Sequence, residues 1–191
     1  MSYQNKYLKY KSKYLELKKI IGGNDDIAKL QSTWRNHLDN KLSNITQNKL
    51  NTVNKDKLQT ELDRLNLISE WKLNFLDKNL SNITEKNLKT IDKDTLQTEV
   101  DRLYLILSWQ AYPNKNLSNI TETKLKTVDK DTLTTELDRL DLISYWKFHF
   151  LNNNLSNITE KNLKTIDKDT LTTELDRLDL ITEWSAHKYK S

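Results

Sequence analysis

"DKDTLTTELDRLDLI", residues 129–143, occurs again without a change at residues 167–181. Two looser copies precede it, "NKDKLQTELDRLNLI" at 54–68 and "DKDTLQTEVDRLYLI" at 92–106. The tryptophans keep the same beat: they stand at 34, 71, 109, 146 and 184, at spacings of 37, 38, 37 and 38. The motif "LSNIT" begins at 42, 80, 117 and 155, and the extra residue always falls between Trp and the next "LSNIT". A fixed period of this size is the signature of a tandem array. Four full units follow from it, 40–77, 78–114, 115–152 and 153–191. Residues 24–39, "NDDIAKLQSTWRNHLD", match the second half of a unit and read as an N-terminal cap. A second rhythm of 75 residues overlies the first, because "WKLNFL" (71–76) matches "WKFHFL" (146–151) while Trp109 is followed by "QAYPNK".

Each unit predicts two helices. The first opens near "SNITEKNL", where Ser81, Asn82 and Thr84 are N-cap candidates, and its loose apolar spacing predicts a short element. "DKD" makes the turn, and Asp94 or Thr95 is expected to cap the second helix. Leu96, Val100, Leu103, Ile106 and Trp109 then form one helical stripe. The pattern predicts that this helix runs to Phe75 and Phe150 in units one and three, and that Pro113 ends it near Tyr112 in unit two. With two Gly and one Pro in 191 residues, tight β-turns have little material, so the expected class is all-α. One such hairpin buries too little to offset its ordering entropy. The units must therefore cover each other's stripes, which is the logic of an α-solenoid.

Composition narrows the function classes. Cysteine is absent, which removes disulfides, thiolate metal sites and a Cys nucleophile. No apolar run reaches the length of a membrane span or a signal-peptide core, so the expectation is a chain without a transmembrane segment that is not secreted. The "NIT" triplets at Asn44, Asn82, Asn119 and Asn157 then read as helix starts rather than glycosylation sites. The net charge of +4 is unevenly placed: residues 1–21 hold six Lys against one Glu, so the rest of the chain sums to −1.

The charged cluster "TELDR" invites a chemical reading. Glu61, Glu99, Glu136 and Glu174 each lie three residues before Arg64, Arg102, Arg139 and Arg177. Paired carboxylates can do acid–base work, but catalysis needs one asymmetric constellation and not four copies along an array. The spacing suits an ion pair on a helix surface. The chain has 26 Lys and five Arg, and four of those Arg fill this one position. That bias asks for a planar fork, binding a carboxylate of its own unit or of the next one. "DKDTLxTE" lacks the central Gly and twelfth-position Glu of a calcium loop. His37, His149 and His187 each follow a Trp by three residues with no second ligand beside them, so no metal and no cofactor is expected. Trp34, Trp71, Trp109, Trp146 and Trp184 continue an apolar stripe and are expected to be core rather than a stacking platform. The equivalent positions Asn66, Tyr104, Asp141 and Asp179 vary inside an otherwise constant helix and are expected to point outward.

Residues 1–23, "MSYQNKYLKYKSKYLELKKIIGG", differ from all that follows. Tyr3, Tyr7, Tyr10, Tyr14, Leu17 and Ile21 make a heptad seam, flanked by Lys6, Lys9 and Lys13, and Gly22–Gly23 would end the helix. A separate basic amphipathic helix on a short hinge is expected. It would serve as a cap, as a protein or self-association contact, or as a contact for nucleic acid or an anionic membrane. "KYLKYKSKYLELK" followed by "GG" resembles the N-terminal signature on many proteins of mimivirus-type giant DNA viruses, where it precedes unrelated domains. The resemblance covers residues 3–23 and implies a viral origin and a place in the host cytoplasm, viral factory or virion. It implies no enzyme activity.

The functional expectation is a non-enzymatic helical-repeat scaffold that binds a protein or assembles with itself. The second reading is nucleic-acid binding or virion packaging through residues 1–21.

Overall fold

The computed structural model describes residues 27–76, 79–152 and 154–188. The expected N-terminal helix, with Tyr3, Tyr7, Tyr10, Tyr14, Lys6, Lys9 and Lys13, lies outside them. The described chain is all-α. Five α-helices, α1 (Ile27–Asn36), α2 (Lys55–Phe75), α3 (Lys93–Gln110), α4 (Lys130–Phe150) and α5 (Lys168–Lys188), alternate with short 3-10 turns. Each unit is a tandem two-helix repeat in which the shorter helix is a single 3-10 turn: Gln47–Lys49, Glu85–Asn87, Glu122–Lys124 or Glu160–Asn162. The chain divides into two compact bodies, one ending at Tyr104 and one starting at Leu105, with the boundary inside α3.

The short element stays short because few of its side chains face the core. Ile83 and Leu88 are buried, but Glu85, Lys86 and Asn87 between them are exposed. Ile45 and Leu50, Ile120 and Leu125, and Ile158 and Leu163 repeat this pattern. Two apolar anchors five residues apart do not make a helical face, so the segment closes only one tight turn.

The long helices are built by their stripes. In the first body Leu58, Leu62, Leu65, Ile68, Trp71 and Phe75 of α2 are buried, as are Leu96, Val100 and Leu103 of α3. In the second body Leu133, Leu140, Ile143, Trp146 and Phe150 of α4 are buried, as are Leu171, Leu175 and Leu178 of α5, and the two helices pack together. Their caps differ from the expected ones. The first residue of "DKD" caps, not Asp94 or Thr95: the Thr95 N–H donates to Asp92 Oδ1 at 2.8 Å, Thr132 to Asp129 at 2.7 Å and Thr170 to Asp167 at 2.8 Å. Asp129 has extended backbone and stands outside the helix, so its carboxylate can turn back onto the first free N–H groups. Asn54 does the same for Lys57.

The 75-residue rhythm has a structural cause. Helices α2 and α4 run four residues past Trp71 and Trp146 and bury Phe75 and Phe150. Helices α1 and α3 stop at Asn36 and Gln110, and a 3-10 turn follows, Asn40–Leu42 or Lys115–Leu117. Pro113 enforces the earlier stop after α3. Connections one residue shorter thus go with shorter helices.

Candidate functional site

Each "TELDR" cluster sits where three segments of chain meet. In the first repeat the Trp34 indole N–H donates to Ser43 Oγ at 2.9 Å, and the Ser43 hydroxyl donates to Glu61 Oε1 at 2.9 Å. The Asn44 N–H donates to the same oxygen at 2.7 Å. Arg64 closes a fork on the carboxylate, Nε to Oε2 at 3.0 Å and Nη2 to Oε1 at 2.8 Å. Its Nη2 also reaches the Leu42 carbonyl of its own unit at 2.7 Å. Its Nη1 reaches the carbonyls of Leu88 and Ile91, which follow the 3-10 turn of the next unit, at 2.8 and 3.3 Å.

Arg139 repeats the set in the second body: a fork on Glu136, the Leu117 carbonyl, and the next-unit carbonyls of Leu163 and Ile166 at 2.9 and 3.2 Å. Arg102 forks on Glu99 and donates to the Leu80 carbonyl. Of the two expected carboxylates, the fork takes the one of its own unit. Its charge is neutralised within the unit, and its remaining donors hold backbone of the following one. Lysine could neutralise the charge but, with all its donors on one nitrogen, could not reach all five of these acceptors.

The clasp is buried but satisfied. Side-chain exposure is 3% for Arg64 and 9% for Glu61. Burial pushes the Glu61 carboxyl up, but the Arg64 guanidinium, the Asn44 N–H and the Ser43 hydroxyl outweigh it and hold it below the ordinary range. The same balance holds for Glu99 and Glu136. Glu174, bound by Arg177, falls to about 2. These carboxylates stay ionised with their lone pairs engaged, which suits fastening rather than proton transfer.

The serines were missed as clasp residues. Ser43, Ser81, Ser118 and Ser156 each accept a Trp indole N–H and donate to a clasp Glu, whereas sequence reasoning offered Ser81 only as a cap. The available signal was the constant spacing of Ser from the preceding Trp and from the following Glu. Trp34, Trp71, Trp109 and Trp146 are at most 5% exposed. Trp184 differs from the expectation for all five: it is 66% exposed, where each of the other four lies against the Ser of a following "LSNIT" segment.

The varying positions do more than face outward. Asn66 Oδ1 meets His37 Nε2 at 3.1 Å, and the Tyr104 hydroxyl donates to Glu70 at 2.7 Å. The Tyr112 hydroxyl donates to Asp141, and the Tyr145 hydroxyl lies 3.3 Å from Asp179. Each junction between repeats thus carries its own polar pair. The other two histidines are at helix ends, His149 against Tyr145 at a 4.4 Å ring separation and His187 exposed.

Among the described residues no group of three His, Cys, Asp or Glu converges on a metal position, and no helix is long and apolar enough to cross a membrane. A shallow cleft of about 630 Å³ beside the last clasp is lined by Asn157, Ile158, Thr170 and Glu174 among others, and its Glu174 is already held by Arg177. No protein-family model, no curated protein and no solved structure matches the chain.

Proposed function

We propose that this chain is a non-enzymatic helical-repeat scaffold that binds protein or assembles with itself. The observation that carries this reading is the Trp–Ser–Glu–Arg relay. The residues that look most like chemistry are spent on joining one repeat to the next, and the relay recurs instead of converging on one pocket. What the array offers in exchange is surface, including the exposed apolar side chains Leu73 and Phe148 at equivalent positions of alternate repeats. The resemblance of residues 3–23 supports a giant-virus origin, with a role in the viral factory or virion.

Light scattering of the full chain across a concentration series tests the self-assembly limb. Mass that rises with concentration is expected, and a strictly monomeric chain that also captures no protein partner contradicts the reading. A second reading, nucleic-acid or packaging contact, is favoured by the local charge of +5 in residues 1–21. Its test is DNA affinity at low salt with and without residues 1–23, and equal affinities defeat it.

A further inference from the structure

The ends of α2 and α4 each present an exposed apolar triad. In the first body Ser69 and Lys72 of α2 hold the Asp39 carboxylate at 2.5 and 2.7 Å. Leu38, the residue before it, is 95% exposed. Leu73, 85% exposed, and Leu76 lie on the same side of α2 as Ser69. In the second body the Asn114 amide donates to Ser144 of α4 at 2.9 Å. Its neighbours are exposed Pro113, Phe148 at 83% and exposed Leu151. Each member of the second triad stands 75 residues after its counterpart in the first. Where the helix stops early, Asn36 and Ala111 take the place of Leu73 and Phe148. The 75-residue rhythm therefore repeats a surface as well as a helix length. An open groove of about 440 Å³ lies beside the second triad, lined by Phe148, His149, Leu151 and Asn152 among others.

Size limits what can cover these triads. Three such side chains make a patch of about 300 Å², well short of the roughly 1,200 Å² that a stable contact buries. One pairing of triads does not suffice, whereas two pairings bury four triads and reach that size. The partner must therefore carry two apolar patches at the spacing of these two. A second copy of the chain does so by construction, because a two-fold axis matches any spacing with itself. Charge selects which triads meet. Arg35 and Lys41 stand three residues either side of Leu38, and Gln110 and Asn116 stand three residues either side of Pro113. The first triad on its own copy would gather four cations. The first triad on the second sets those cations against amides and the Lys115–Glu122 pair.

We propose that two copies of this chain pair about a two-fold axis, with Leu38, Leu73 and Leu76 of each seated on Pro113, Phe148 and Leu151 of the other. This rests on the scaffold reading and names its partner as a second copy. Leu73 enters the groove beside Phe148, and the contact occurs twice in each dimer. Both triads of both copies are then covered, so this contact closes at two copies.

Sedimentation of the full chain over a concentration series is expected to show monomer and dimer. Leu73→Lys and Phe148→Glu, at exposed positions, are expected to leave the melting of the chain unchanged. Each acts at both contacts and is expected to raise the dimer dissociation constant at least about tenfold. Combined in one chain they set Lys against Glu at both contacts and are expected to recover most of that loss. A dimer that ignores both single variants, or a combined variant no better than either one, overturns the pairing and leaves the scaffold reading in place. A chain that is monomeric at every concentration overturns the pairing too. The scaffold reading then stands if the full chain captures a protein partner and falls if it captures none. Binding of the monomer to vesicles of phosphatidylserine and phosphatidylcholine that Phe148→Glu weakens assigns the triads to a lipid surface and likewise overturns the pairing.

Discussion

At the scale of the residue, Arg139 and Ser118 show how a clasp is held. Ser118 accepts the Trp109 indole N–H at 2.8 Å and donates to Glu136 at 2.8 Å. Ser118→Ala leaves a buried donor unpaired and strips the carboxylate of one donor. Denaturant unfolding is expected to show a loss of about 1–3 kcal/mol. The Glu–Arg pairing was legible in the sequence, because four of five Arg occupying one position in a Lys-rich chain is a chemical choice. The serine was not, because Ser before Asn, Ile and Thr reads equally well as a cap until the indole is seen to reach it. The exposure of Trp184 was hidden for a related reason. Its own stripe is as regular as the others, and what buries a Trp in this array is the segment that follows it.

At the scale of the element, the long helices follow from stripe and cap. Asp129→Ala removes the side-chain acceptor for the Thr132 N–H at an exposed position and is expected to lower the midpoint of denaturant unfolding, whereas Asp131→Ala, inside the helix, is expected to lower it less. The choice between the Asp residues of "DKD" was not readable from the sequence, because any of them suits a helix start. The backbone decides it by leaving only the first one extended. The junction pairs were also missed, since a position that varies looks free when each partner varies with it. Tyr104→Phe tests one of them. Burial, reinforced by Asp101, pushes the Glu70 carboxyl up, and the Tyr104 hydroxyl opposes this by donating to it. Losing the hydroxyl is expected to cost about 1–2 kcal/mol at high pH, where the carboxyl is ionised, and less at low pH, where it is protonated. A loss equal at both pH values would contradict the pairing.

At the scale of the whole molecule, four clasp carboxylates set the response to acid. Each has a folded pKa below its unfolded one, and that of Glu174 lies at about 2 against an ordinary 4.5. Between those values the unfolded chain binds more protons, so stability rises with pH through this window. The clasp contribution is present above the ordinary carboxyl range and is lost as pH falls through each folded value, which for Glu174 lies at about 2. Thermal melts across this range are expected to fall steeply, with little change between pH 5 and 7 from these groups. The tandem organisation was fully legible, because period and stripe repeat in the letters themselves. The division into two bodies inside α3 was not, since nothing in the letters of that helix marks it. The same fifteen residues occurring twice also give the sharpest test of the clasp. Arg139 gives Nη1 to carbonyls of the following repeat and its side chain is 3% exposed, while that of Arg177 is 38% exposed, so Arg139→Lys and Arg177→Lys are one substitution in two settings. In denaturant unfolding, Arg139→Lys is expected to lose about 2–4 kcal/mol, and Arg177→Lys is expected to shift the transition far less. Equal losses, or an unchanged transition for Arg139→Lys, would contradict the claim that this arginine holds one repeat to the next.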